Sequence, residues 1–189
     1  MKFASIKIVV IALGGAALLF LVVMLGGTYF LPQLTEGITT TNGEVEKSER
    51  VGARAPYFDL PNLSGDHVTL AALADRPLVI LFWATWSEQS TDALHILDEY
   101  IAEHQKDAAL VSFITINSQE EKSLVSSFMR RGGYQTPVVL DALGKVSGEY
   151  EVKSLPTFYF VDRTGVVRAE YAGVLSKSML GDKVEQALR

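Results

Sequence analysis

Eight consecutive apolar residues, Pro77 to Ala84 (PLVILFWA), constrain this chain more than any other segment. A strand alternates its side chains between two faces, so an unbroken apolar run must be covered on both. Helical layers are the usual cover, and the flanking segments supply them. Residues 87–104 carry Leu94, Leu97 and Ile101 along one helical face, with Ala93 and Tyr100 beside them. Residues 119–131 place Leu124, Val125, Phe128 and Met129 together, and a stop follows at Gly132-Gly133. Leu110 to Asn117 (LVSFITIN) reads as a second core strand, Pro137 to Leu140 as a short one, and Leu143 to Tyr150 as a short helix. Thr157 to Val161 and Val166 to Tyr171 are strands joined by the hairpin loop Asp162-Arg163-Thr164-Gly165. Ser176 to Arg189 closes the chain as a helix burying Leu180, Val184, Ala187 and Leu188. Upstream, Tyr57 to Leu60 and His67 to Leu70 read as a small strand pair turning at Ser64-Gly65-Asp66. A β-α-β unit followed by a hairpin and a last helix predicts a three-layer α/β/α sandwich around a mixed sheet, spanning residues 51–189.

A second segment sets the expected surroundings. Ile8 to Leu31 is 24 residues without a charge. As a helix it extends roughly 36 Å, enough to cross a hydrocarbon core of about 30 Å. A cleaved signal peptide has a shorter apolar core ending in a small-residue cleavage site, whereas this run continues into Thr28, Tyr29, Phe30 and Leu31. Lys2 and Lys7 precede it, and no Lys or Arg follows before Lys47. The positive-inside rule then assigns residues 1–7 to the cytoplasm, 8–31 to membrane lipid, and the remainder to the extracytoplasmic side, periplasm or outer surface. Residues 32–50, polar and Thr-rich, read as a flexible tether with a reach of roughly 25 Å. Beyond Leu31 the chain holds 15 basic and 22 acidic residues. That balance disfavours nucleic acid, and the outer part as a whole should not cling to anionic lipid.

Cysteine is absent from the sequence. Disulfides, thiolate-ligated zinc, iron–sulfur clusters and sulfur nucleophiles are therefore excluded. The three histidines, His67, His95 and His104, are scattered, with no second ligand at a metal-motif spacing, and no phosphate-binding glycine loop exists; no metal and no cofactor are expected. Ser87, Ser90, Asp92 and His95 invite a hydrolase reading. His95 lies five residues after Ser90, about 500° around a helix, so the two side chains diverge. No Gly-x-Ser-x-Gly elbow is present either. Ser87 reads more simply as a helix N-cap, with Glu88 complementing the macrodipole. Glu120-Glu121 and Arg130-Arg131 read as solvated helix faces.

Phe82-Trp83-Ala84-Thr85-Trp86-Ser87-Glu88-Gln89-Ser90 runs from a core strand into a helix, and Ser154-Leu155-Pro156-Thr157 precedes another strand. With Val51-Gly52-Ala53-Arg54-Ala55-Pro56-Tyr57-Phe58 and Leu60, these segments resemble the thioredoxin-like superfamily, and most closely its membrane-tethered TlpA/ResA type. The resemblance implies a thioredoxin-like fold over residues 51–189. In that family the helix opens with Cys-x-x-Cys, where backbone N–H groups and the positive dipole end lower a thiol pKa below about 8.5. Here Ser87 and Ser90 stand at the two sulfur positions, and Gln89, Ala93 and His95 replace residues common around such sites. Two hydroxyls cannot close a disulfide, so the resemblance implies a redox-inactive member. The proline matching Pro156 is cis in the family and borders a place where an extended segment pairs with the backbone. Trp83, Trp86, Ser87, Glu88, Gln89, Ser90, Leu155 and Pro156 are accordingly the candidate residues for holding a protein or peptide partner. Packing alone is the competing role for Trp86, and a fold-required turn for Pro156. An accessory part in envelope thiol-redox metabolism or cytochrome maturation is the alternative function.

Overall fold

The computed structural model describes residues 50–104 and 110–188. The expected tail 1–7, anchor 8–31 and all but the last residue of the tether lie outside the described residues, among which no helix is long and apolar enough to cross a membrane.

The elements run β1 (Asp59–Pro61), β2 (His67–Thr69), α1 (Leu70–Leu73), β3 (Leu78–Trp83), α2 (Glu88–Glu103), β4 (Ser112–Ser118), α3 (Lys122–Gly132), β5 (Val138–Asp141), α4 (Lys145–Glu149), β6 (Thr157–Val161), β7 (Val167–Ala172) and α5 (Lys177–Leu188). β3 is buried along its whole length at the centre of a five-stranded sheet ordered β5-β4-β3-β6-β7. It is parallel to β4 and antiparallel to β6, which makes the sheet mixed as expected.

Both crossovers, β3-α2-β4 and β4-α3-β5, step in the same direction along the sheet. Right-handed connections therefore put α2 and α3 on one face. There Leu94, Leu97, Val125, Met129, Leu180 and Val184 pack on Val79, Leu81 and Trp83. The other face is covered more thinly. Phe58 and Leu60 of the N-terminal hairpin, with Val146 and Tyr150 from α4 and its end, close over Ile80, Phe82, Ile114 and Ile116.

Two local readings change and a third holds. Leu124, expected inside, is 46% exposed, because α3 starts only at Lys122 and its buried stripe is Val125 and Met129. α1 was not legible as a helix; Thr69 caps it, its hydroxyl accepting the Ala72 N–H at 3.2 Å. Gly133 ends α3 in the left-handed region at φ 71°, the expected glycine stop.

The pairing gives the sheet two distinct ends. Trp83, Ser118 and Asp141 finish the parallel strands at the same edge where β6 begins and β7 finishes. The opposite edge holds Leu78, Val161 and the Asp162–Gly165 hairpin. Their separation along β3 is roughly 17 Å.

Candidate functional site

Ser87 is the N-cap of α2 at φ −95° and ψ 114°. Its hydroxyl accepts the Ser90 N–H at 3.2 Å, and its carbonyl accepts the Thr91 N–H at 3.1 Å. These bonds close the first turn and leave the Glu88 and Gln89 side chains exposed. Ser90 faces the other way. It is completely buried, and its hydroxyl has no hydrogen-bond partner among the described residues.

The two tryptophans separate in the same manner. Trp83, the last residue of β3, is fully enclosed against Phe128 with ring centroids 5.5 Å apart. Trp86 stands 73% exposed in the loop before α2, which rules out packing as its role in this structure. Of the eight candidates, Trp83 and Ser90 thus lie beneath the surface, and Trp86, Glu88 and Gln89 form it, with Ser87 half-buried.

The Leu155–Pro156 peptide bond is cis, and it lies at the same edge of the sheet. The backbone beside Pro156 is less open than expected. Its carbonyl accepts the Gly173 N–H at 2.8 Å, and the Ser154 carbonyl accepts the Thr157 hydroxyl at 2.7 Å. The Leu155 backbone has no hydrogen bond among the described residues, and its side chain is half-buried.

The residue that sequence reasoning missed is Glu120. Expected on a solvated helix face, it is instead 8% exposed, just ahead of α3. Its carboxylate accepts the Thr85 N–H at 2.7 Å, the Thr85 hydroxyl at 2.5 Å and the Asn117 side-chain amide at 2.7 Å. Asn117 is the register partner of Trp83. Glu120 thereby ties the Thr85–Trp86–Ser87 loop to the end of β4. An acid three residues after an asparagine near the end of a core strand was the available signal.

Among the described residues, no base is bonded to either serine. His95 pairs with Glu99 at 3.1 Å on the exposed side of α2, His67 with Asp59 at 2.6 Å, and His104 with the Tyr100 carbonyl at 3.0 Å. A serine hydroxyl without a base is a poor nucleophile. What the edge presents is hydrogen-bonding groups, one projecting indole and a short open backbone.

The AhpC/TSA family profile matches residues 51–170, the greater part of the chain. The chain belongs to the AhpC/TSA family. Among curated relatives, thiol-disulfide oxidoreductase ResA of Bacillus subtilis is 30% identical over 149 residues, covering 77% of this chain and 82% of ResA. Thioredoxin-like protein YneN of the same organism is 25% identical, covering 77% of this chain and 85% of YneN. Among solved structures, a thiol:disulfide interchange protein of Chlorobium tepidum matches with a TM-score of 0.62 at 24% identity, covering 72% of this chain and 96% of that one. StoA of Bacillus subtilis matches at 0.60 and 19% identity, covering 68% and 96%. The fold of this AhpC/TSA member is thioredoxin-like, and its sequence contains no cysteine.

Proposed function

We propose that this member is a redox-inactive, membrane-tethered module that holds an extended polypeptide on the extracytoplasmic side. The observation carrying this reading is the placement of Ser87 and Ser90. They occupy the N-cap and first inward turn of α2, at the same end of the sheet as a cis proline, in a chain without sulfur nucleophiles. Trp86, Glu88, Gln89 and the Leu155 backbone supply the contact surface, while Trp83, Ser90 and Pro156 support it from below. Anchorage through residues 8–31 rests on the uncharged run and its flanking lysines. A place beside a competent oxidoreductase in an envelope thiol pathway is favoured by one further fact: the relatives named thiol-disulfide oxidoreductase cover most of the chain.

Two measurements test this. Disulfide reduction of insulin by the full chain in detergent should stay at the no-protein rate; turnover above it refutes redox inactivity. A photoreactive residue replacing exposed Gln89 should capture an extended segment of another protein, identified by mass spectrometry. Labelling of lipid or water alone refutes the holding role.

A further inference from the structure

The sheet edge opposite the candidate site has its own chemistry. A cavity of about 210 Å³ opens there, floored by Leu70, Leu78 and Val161 and rimmed by Arg54, Arg76 and Arg163. These arginines come from three segments that the fold gathers: the entry strand bridged at Arg54–Val166, the turn after α1, and the β6–β7 hairpin. The acids nearby are engaged. Asp75 pairs with Arg76, and Asp162 is held by Arg168 and by Thr164 and Val166 of its own turn. Arg54 and Arg163 have no acidic partner among the described residues, and the Arg54 guanidinium lies over Gly165. In a chain of net charge −5, this end is locally cationic with an apolar floor.

We infer that this arginine-rimmed end is a docking surface for the anionic headgroups of the bilayer that anchors the chain. Arg54 lies four residues after Arg50, the first described residue, which pairs with Glu151 and follows the expected tether in sequence. Docking this end on lipid turns Trp86, Gln89 and Leu155 outward, roughly 17 Å further from the headgroups along β3. Each arginine near an anionic surface shifts such an equilibrium about fivefold, so Arg54 and Arg163 together shift it about thirtyfold. The inference rests on the anchor in the reading above and is independent of what the site holds.

The cysteine-free sequence permits single-site labelling. The full chain carrying Ala72→Cys, at this end, or Gln89→Cys, at the other, is labelled with a fluorophore and placed in lipid nanodiscs bearing headgroup-attached nitroxide quenchers. With phosphatidylglycerol added to phosphatidylcholine, quenching at position 72 should rise from background to near saturation, and at position 89 it should not rise. Arg54→Gln with Arg163→Gln should remove most of the rise, and salt should weaken it. Equal quenching at position 72 in both lipids, or a rise at position 89, overturns the proposal. So does loss of the effect on adding glycerol phosphate when sodium chloride of equal ionic strength leaves it intact, since the end is then a small-anion pocket. Failure of the chain to co-elute with discs removes the anchor and this proposal together, while peptide capture at Gln89 is still scored separately.

Discussion

Placing sulfur at positions 87 and 90 is the most direct challenge to the proposed role of those positions. Residues three apart at a helix start have Cα atoms about 5 Å apart. That falls within the roughly 4.4–6.8 Å that a disulfide spans. The Ser87→Cys, Ser90→Cys variant should therefore oxidise to a closed pair, and no other cysteine competes with it. The energetics have a definite order. Ser87 caps α2 through the Ser90 N–H, and losing that hydroxyl costs about 1 kcal/mol. Closing a four-residue loop removes unfolded-state entropy equivalent to about 2 kcal/mol. Replacing the buried Ser90 hydroxyl also removes its penalty of about 1 kcal/mol, so the reduced variant should match the parent and the oxidised one rise about 2 kcal/mol above it. Urea unfolding of the full chain in micelles, followed by fluorescence of buried Trp83, measures all three. The thiol at position 87, half-exposed at the helix N-terminus, should alkylate faster than the buried one at position 90. Two free thiols remaining in the folded, oxidant-treated protein would refute the placement. An oxidised form less stable than the reduced one would refute the geometry.

Four other outcomes follow from the same contacts. Glu120→Ala leaves three donors without their acceptor and should cost about 3 kcal/mol, with Glu120→Gln losing less; an unchanged urea midpoint would show that the loop is held by other means. Asp162 lies in a setting where burial would raise its carboxyl, but bonds from Thr164, Val166 and Arg168 outweigh this and bring it down to about 2. Because the folded value is depressed, its contribution is present above about pH 4 and lost as pH falls towards 2; Asp162→Asn should cost about 2 kcal/mol at neutral pH, a gap that closes across that window in acid-unfolding titrations. Ser90→Ala removes an unpartnered buried hydroxyl and should raise stability by about 1 kcal/mol in the same urea assay. Trp86→Ala should change stability by less than about 0.5 kcal/mol while abolishing photocapture at Gln89; capture that persists would dissociate the indole from holding.

What could be read from the sequence follows the range of the interactions involved. β3, α2 and the β6–β7 hairpin were legible because periodicity and turn chemistry are local: Leu94 and Leu97 share a helical face whatever lies opposite them. Ser87 as a cap was legible for the same reason. Glu120 was not, because its role depends on Thr85, 35 residues away, and on where β4 delivers Asn117. Leu124 failed through a boundary effect: with Gln119 at φ 59° and Glu120 drawn inward, the helix starts late and the stripe rotates. The exposure of Trp86 and enclosure of Trp83 could not be separated by residue type, since a strand end and the loop after it differ only in what covers them. The arginine-rimmed end combines residues more than a hundred positions apart, and a net charge conceals such a grouping.

The serine pair itself is informative when its two members are weighed separately. At position 87 serine is among the best N-caps, and its hydroxyl is used as one. At position 90 the same residue is a liability: its hydroxyl is buried without a partner, at a cost on the order of 1 kcal/mol that alanine would not incur. The gain and the cost are of similar size, so stability alone does not account for serine at both places. A small side chain at 90 lets α2 seat on β3 beside Trp83, where Ala93 and Leu94 are fully packed. Positions 87 and 90 lie at the tip of a core built mainly from other residues. On the proposed reading the fold and its edge geometry are kept, while dithiol chemistry is not open to a chain without cysteine.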